Sequence, residues 1–224
     1  MKGKVADVVM SVRNGNQIVR KYQPMVYNPS TAGQVAARAK LKLLSQLSAS
    51  MGKVIAMPRM GIVSPRNQFT KENYAAVTYV TSAEQATASI DLASVKLTKS
   101  SVYLPELRYS FDSDNTHAQF SLNAEFTEVD KVVYCMFSVG ANNEVRLVNS
   151  LVASDSSTNF RTPMSPIVVD AKNIVYAYGI RLNSDAARAK FTNLGVDDAT
   201  LIASLIASRV LTEADVTLTE TKFI

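Results

Sequence analysis

The stretch over residues 8–47 constrains this chain more than any other, because it joins a hairpin signal to a helix signal across a short linker. Two runs, VVMSV at 8–12 and IVRKY at 18–22, flank Asn14-Gly15. Asn-Gly tolerates the positive φ of a type I′ turn, whose twist matches that of paired strands. The spacing sets Met10 opposite Val19 and Ser11 opposite Ile18, and leaves Arg13, Arg20 and Lys21 at the tip and along the return strand. An isolated two-stranded hairpin is barely stable in water. This ribbon is therefore expected to lie on something, either its own helix or a neighbouring subunit.

The helix signal follows at once. Asn28-Pro29 keeps the chain extended, and Thr31 with Gln34 has the spacing of a capping box. Val35, Ala39, Leu43 and Leu47 then recur every four residues, with Ala36 and Leu44 widening the stripe and Arg38 and Lys42 forming a charged row beside it. One face is expected to pack; the other stays wet or meets an acidic partner.

Charge divides the chain. Residues 1–66 hold eleven Lys/Arg against Asp7 alone, a net +10, and residues 67–224 hold thirteen Lys/Arg against eighteen Asp/Glu, a net −5. Such a basic segment suits nucleic acid, anionic lipid or an acidic protein surface, without choosing among them. An apolar fraction of 47% excludes a disordered chain. Val5 to Met10 is too short an apolar run for a secretory leader, being broken by Asp7, and no window approaches eighteen apolar residues. The reading is a soluble chain made without cleavage, with no membrane partner. Cys135 is the only cysteine, which excludes an internal disulfide and suits a reducing cytoplasm.

Beyond the first helix, Gly52, Pro58, Gly61 and Pro65 break regular structure. Thr70 is a plausible N-cap for a short helix through about Val80, and the two helices are expected to form an antiparallel pair carrying the hairpin. From about Ser89 the period shortens to two at Ile90, Leu92, Val95 and Leu97. Short β-rich runs follow at 107–111, 118–126, 131–139, 145–152, 167–169 and 174–182, with turns at 112–115, 140–143 and 170–173. This spacing predicts a sandwich of roughly seven strands of the immunoglobulin-like kind. Residues 184–211 read as an inserted helical hairpin, with Ser184 or Asp185 capping its first helix, a break at Gly195, Asp197 capping the second, and Leu201, Leu205 and Ile206 on one face. Inserts of that length tend to be functional or to make subunit contacts. A last strand is expected at 215–223. The class is α+β: a hairpin-helix module over 1–88, then an immunoglobulin-like β-sandwich over 89–224 carrying the insert.

No pattern carries catalysis or holds a cofactor. His117 and Cys135, each the only one of its kind, read as a turn-flanking histidine and a buried inert thiol, and a zinc site lacks ligands. Asp112 and Asp114 lack the glycine and distal glutamate of a calcium loop. The eight glycines are too scattered to cradle phosphate. The constellation that stands out is Arg13, Arg20, Lys21, Arg38 and Lys42, which fits a solvated face, an acidic protein neighbour or phosphates. With only Tyr22 and Tyr27 nearby, stacking on single-stranded bases is disfavoured.

GKV at 3–5, RNGN at 13–16 followed by IVR at 18–20, and NPST at 28–31 with Gln34, Ala37, Arg38 and Lys40 resemble the opening of a family of unknown biochemical activity from Bacteroidetes and their phages. Asn67, Phe69 and NYAA at 73–76, a VVY strand at 132–134 and a YAYG strand at 176–179 extend the resemblance along most of the chain; the 184–211 insert departs from it. Similar proteins occur among virion components of crAss-like phages. The resemblance implies a non-enzymatic structural protein of a tailed virion, made in the host cytoplasm: a ring or connector subunit of the neck or tail, contacting other virion proteins and needing no cofactor. Subunit contact is then expected through Arg13, Asn14, Gly15, Ile18, Arg20, Lys21, Arg38 and Lys42, in a homo-oligomer, with nucleic acid the less favoured partner. The rival expectations are a monomeric immunoglobulin-like module binding a glycan or host surface, and a capsid-associated decoration protein.

Overall fold

The computed structural model describes residues 3–5, 8–13, 15–22, 30–82, 85–104, 107–111, 117–122, 129–140, 144–153, 160–163 and 172–223. Strands β1 (Gly3–Val5), β2 (Val8–Arg13) and β3 (Asn16–Lys21) form an antiparallel meander in that order. Met10 pairs with Val19 and Ser11 with Ile18, the register that the Asn14-Gly15 spacing predicts. Gly15 sits at φ +83°, where a side chain would be strained; Asn14 lies outside the described residues. The ribbon also has a strand that the sequence does not announce. Its third strand, β1, pairs Val5 with Val8 and so covers the far edge of β2.

Helix α1 (Ala32–Ser50) begins where the capping motif places it, with Thr31 Oγ1 accepting from Gln34 N at 3.4 Å. The return half of the capping box does not form, because Gln34 Oε1 has no partner among the described residues. Ala36, Leu44 and Leu47 are buried and Val35, Ala39 and Leu43 half-buried, so the predicted stripe is the packed face.

The second helix is corrected. Helix α2 runs Pro65–Asn73, capped by Ser64, whose Oγ accepts from Asn67 N at 3.3 Å. Pro65 in the first turn, with its φ already helical, starts the helix there. Thr70 lies inside it, donating to Arg66 O at 3.0 Å. One 3₁₀ turn follows, and the β-branched Val77, Thr78, Val80 and Thr81 then form strand β4 (Val77–Ser82), hairpinned to β5 (Gln85–Ile90). What α1 carries is this β4–β5 hairpin, packed together with α2, and not the N-terminal ribbon.

Strands β6 (Leu107–Phe111), β7 (His117–Leu122) and β10 (Phe160–Pro163) form a sheet in the order β10-β7-β6. The centre of the molecule is β8 (Lys131–Val139), β9 (Val145–Ala153), β11 (Lys172–Leu182) and β12 (Val216–Leu218), ordered β12-β11-β8-β9 and antiparallel throughout, with β13 (Lys222–Phe223) also on β11. The runs at 131–139 and 174–182 match β8 and β11 closely, but 167–169 lies outside the described residues and β10 is not anticipated. The stretch 90–97 is irregular. A 3₁₀ turn at Leu92–Ser94, capped by Asp91 Oδ1 to Ala93 N, replaces the expected strand, while Val95 and Leu97 are buried. Buried Asn73 fixes this stretch by accepting from Lys96 N at 2.8 Å and donating to Lys96 O at 3.0 Å.

Helices α3 (Asp185–Asn193) and α4 (Ala199–Ala207) connect β11 to β12, with Gly195 at φ +59° between them. Ser184 caps α3 as expected, but Asp198, not Asp197, caps α4, accepting from Leu201 N at 2.8 Å. In α4, Ala199, Ile202, Ala203 and Ile206 are buried, and Leu201 and Leu205 are half-buried. Ile202 and Ile206 join Leu44, Leu47, Val133, Cys135, Phe137, Tyr176 and Tyr178 in one core, so the helical pair roofs the central sheet. The opposite face buries Val132, Tyr134, Met136, Val175 and Ala177 with Leu104. Residues 88 and 89 both lie within β5, and the main core draws Leu44 and Phe69 from one side of that boundary and Tyr176 and Ile202 from the other.

Candidate interaction surface

Pairing register sorts the ribbon into two faces. Val8, Met10, Val12, Gln17, Val19 and Lys21 share one; Val9, Ser11, Arg13, Asn16, Ile18 and Arg20 share the other. Every residue of β3 is exposed, Val19 at 58% and Ile18 at 40%, and Val12 of β2 is 37% exposed. The ribbon's substantial packing, among the described elements, is between its own strands. It therefore presents apolar side chains on both faces, an outer edge on β3 that no described strand pairs with, and the charges of Arg20 and Lys21. Arg13 belongs to β2, but its side chain, like the whole of Asn14, lies outside the described residues.

Arg38 and Lys42 are exposed on α1, one turn apart. The structure does not join them to Gly15, Ile18, Arg20 and Lys21 in one patch, because ribbon and helix lack substantial packing. Two cations that the sequence reading missed lie on α2. Arg66 donates from Nη2 to Ser45 Oγ on α1, and Lys71 is exposed. The Ser64-Pro65 start signal is what would have placed both on a helix. Lys40 Nζ lies 5.1 Å and 5.2 Å from the ring centroids of Tyr74 and Tyr79, tying α1 to the chain that follows α2.

Cys135 is buried in the main core, and its thiol pKa is pushed far above the ordinary range, by burial first and then by the Asp198 carboxylate. The side chain of His117 and residues Asp112 and Asp114 lie outside the described residues. Among the described residues no group of three or more His, Cys, Asp or Glu is disposed to hold a metal ion. A cleft between α1, β5 and β9 is lined by Leu43, Gln46, Ser50, Ala88, Glu144 and Arg146. Its charges are an exposed ion pair, Glu144 with Arg146 at 3.2 Å. No described helix is long and apolar enough to cross a membrane.

No family model, curated protein or solved structure matches this chain.

Proposed function

We propose that this chain is a non-enzymatic structural subunit that assembles with copies of itself into a ring, of the kind found in the neck or tail of a tailed phage. The observation that carries the reading is the ribbon: three strands whose last one is exposed along its whole length and, among the described strands, open at its outer edge. Unpaired N–H and C=O groups on such an edge accept a further strand, and exposed apolar side chains gain by being covered. Val8, Met10, Val12 and Val19 supply the apolar cover, and Arg20 and Lys21 favour an acidic neighbour. Arg38 and Lys42 give the body its own contact with an anionic surface. The resemblance of residues 3–40 to virion proteins of crAss-like phages supports a virion setting with other virion proteins as neighbours.

In the same reading the central sheet and the β6–β7–β10 sheet are the two layers of an immunoglobulin-like body. Support comes from the burial of Tyr134, Met136 and Val175 on the sheet face turned away from α1 and α4, and from β10 lying against β9. The test is Asn14→Val with Gly15→Val. Valine is strained at positive φ, so the turn is lost while the body keeps its circular dichroism and melting temperature. Analytical ultracentrifugation is expected to show oligomers for the parent and monomers for the variant. A parent that sediments as a monomer at micromolar concentration, or a variant with unchanged particle mass, overturns the proposal; the first result favours a monomeric binding module.

A further inference from the structure

Residues 60–63 form a tight turn that holds an apolar side chain out in solvent. Val63 N donates to Met60 O at 2.9 Å, and Gly61 supplies the positive φ, +58°, that the turn needs. Ile62 at its tip is 81% exposed and Met60 is 44% exposed. The turn is held from behind. Arg209 follows α4 at φ +63°, the left-handed position after a helix where glycine is usual and a side chain is strained. Its Nη2 donates to Gly61 O at 2.9 Å, and Lys99 Nζ lies 3.2 Å from Met60 Sδ. A single exposed isoleucine is ordinary. One carried on a turn that side chains from two distant parts of the chain hold in place is an anchor shaped before it binds.

A socket lies across the molecule. The cleft between α1, β5 and β9 holds about 560 Å³ among the apolar Leu43, Leu47, Ala88 and Val145, with Gln46 and Glu144 on its rim. It opens beside the first residues of β9, one edge of the central sheet, whereas the turn stands by β12 at the other edge, where Pro58 and Lys99 line a recess with Val216 and Leu218. Register puts the two at diagonal corners. Val145 lies opposite Val139 and Val139 opposite Lys172, while β12 meets the far end of β11 at Ile180 to Leu182. Knob and cleft therefore do not meet within one copy. The exposed cations beside the knob, Arg59 and Lys99, suit the Glu144 carboxylate, which Arg146 holds only in an exposed ion pair of small worth. We propose that Ile62 and Met60 of one copy seat in the α1–β5–β9 cleft of the next. Two different surfaces joined in this way repeat head to tail, and they close into a ring when the rotation between copies allows. The contact rests on the self-assembly reading and adds to the ribbon a second junction made of other residues.

The experiment pairs cross-linking with sedimentation. The chain carrying Ile62→Cys and Gln46→Cys, both exposed sites, is treated with a short bis-maleimide and run on a denaturing gel; the native Cys135 is buried and does not react. A ladder of covalent dimers, trimers and longer species is expected, with none from either single variant, because each link joins a knob to a cleft. Ile62→Glu, a surface change that leaves the melting temperature in place, should raise the dissociation constant of the parent's oligomers at least tenfold in analytical ultracentrifugation. Absence of the ladder, dimers from Ile62→Cys alone, or an Ile62→Glu chain that sediments like the parent overturns the knob-and-cleft contact. If the parent is then still oligomeric and the ribbon variant monomeric, the assembly reading stands without it. A parent that is monomeric throughout overturns both.

Discussion

Replacing Gly179 with alanine probes the closest approach in the central sheet. Gly179 lies in β11, opposite Val132, and a Cβ built there would stand 2.8 Å and 2.9 Å from the two methyls of Val129 and 3.0 Å from Thr219 Cγ2. Carbon atoms pack best at about 3.5–4.0 Å, so each contact falls short by roughly half an ångström or more. Neither neighbour yields easily. Valine is stiff at χ1. Thr219 is held by its hydroxyl, which accepts from Gly179 N at 2.7 Å and donates to Glu220 O at 3.0 Å, so turning its methyl away breaks buried hydrogen bonds. Overpacking of this kind costs about 1–3 kcal/mol, and for a chain of this length each 1 kcal/mol moves the melting temperature by about 2–4 °C. At the middle of that range, about 2 kcal/mol, Gly179→Ala should therefore lower it by about 4–8 °C. Val129→Ala in the same chain should return at least about 1 kcal/mol, a coupling measurable by urea denaturation of both single variants and the double. A Gly179→Ala protein within about 0.5 kcal/mol of the parent, or two substitutions that simply add, would refute the steric account.

Two further predictions concern polar groups. Tyr176 Oη donates to Leu92 O at 2.9 Å, whereas the buried Tyr178 Oη has no partner among the described residues. Tyr176→Phe should thus cost about 1 kcal/mol and Tyr178→Phe should be neutral or stabilising, and urea midpoints in the reverse order would contradict the assignment. The hydrogen bond from Lys190 Nζ at 2.8 Å, then those from Thr212 N and Oγ1 at 2.9 Å, hold the Asp215 pKa down to about 2 from 3.8. A depressed carboxylate contributes stability above its unfolded pKa and loses it as pH falls through the folded one. Urea midpoints should therefore drop between pH 4 and pH 2, and Asp215→Asn should flatten that drop.

Much of this fold is written locally. The Asn14-Gly15 register, the Thr31 cap and buried stripe of α1, the boundaries of β6 and β8 and the Ser184 cap each depend on residues close together in the chain, where turn and cap chemistry decides. The departures share a different cause. Tyr74 and Val77 have helical spacing, and only the density of β-branched residues after Val77, with Lys40 lying across Tyr74 and Tyr79, makes that stretch a strand. Residues 90–97 alternate like a strand, yet Asn73 binds Lys96 from a distant helix, and Leu97 N and Thr98 N both donate to Thr221 Oγ1, more than a hundred residues away. Periodicity does not record bonds of that range.

The central strands show how a further signal was available. KVVYCMFSV and NIVYAYGIRL do not alternate, which means that both of their faces are covered. One face needs a helical roof, and the chain holds few apolar helices to supply it, so α4 at 199–207 has to return onto the sheet as part of the core. The same logic applies in reverse to the ribbon. Val8, Met10, Val12 and Val19 share one face of β2 and β3, a grouping that implies cover there, yet Val12 and Val19 remain exposed. In the central sheet both described faces of β8 and β11 are buried in apolar clusters. The ribbon's apolar face lacks substantial packing against another described element, and the proposed self-assembly rests on that feature more than on any single residue.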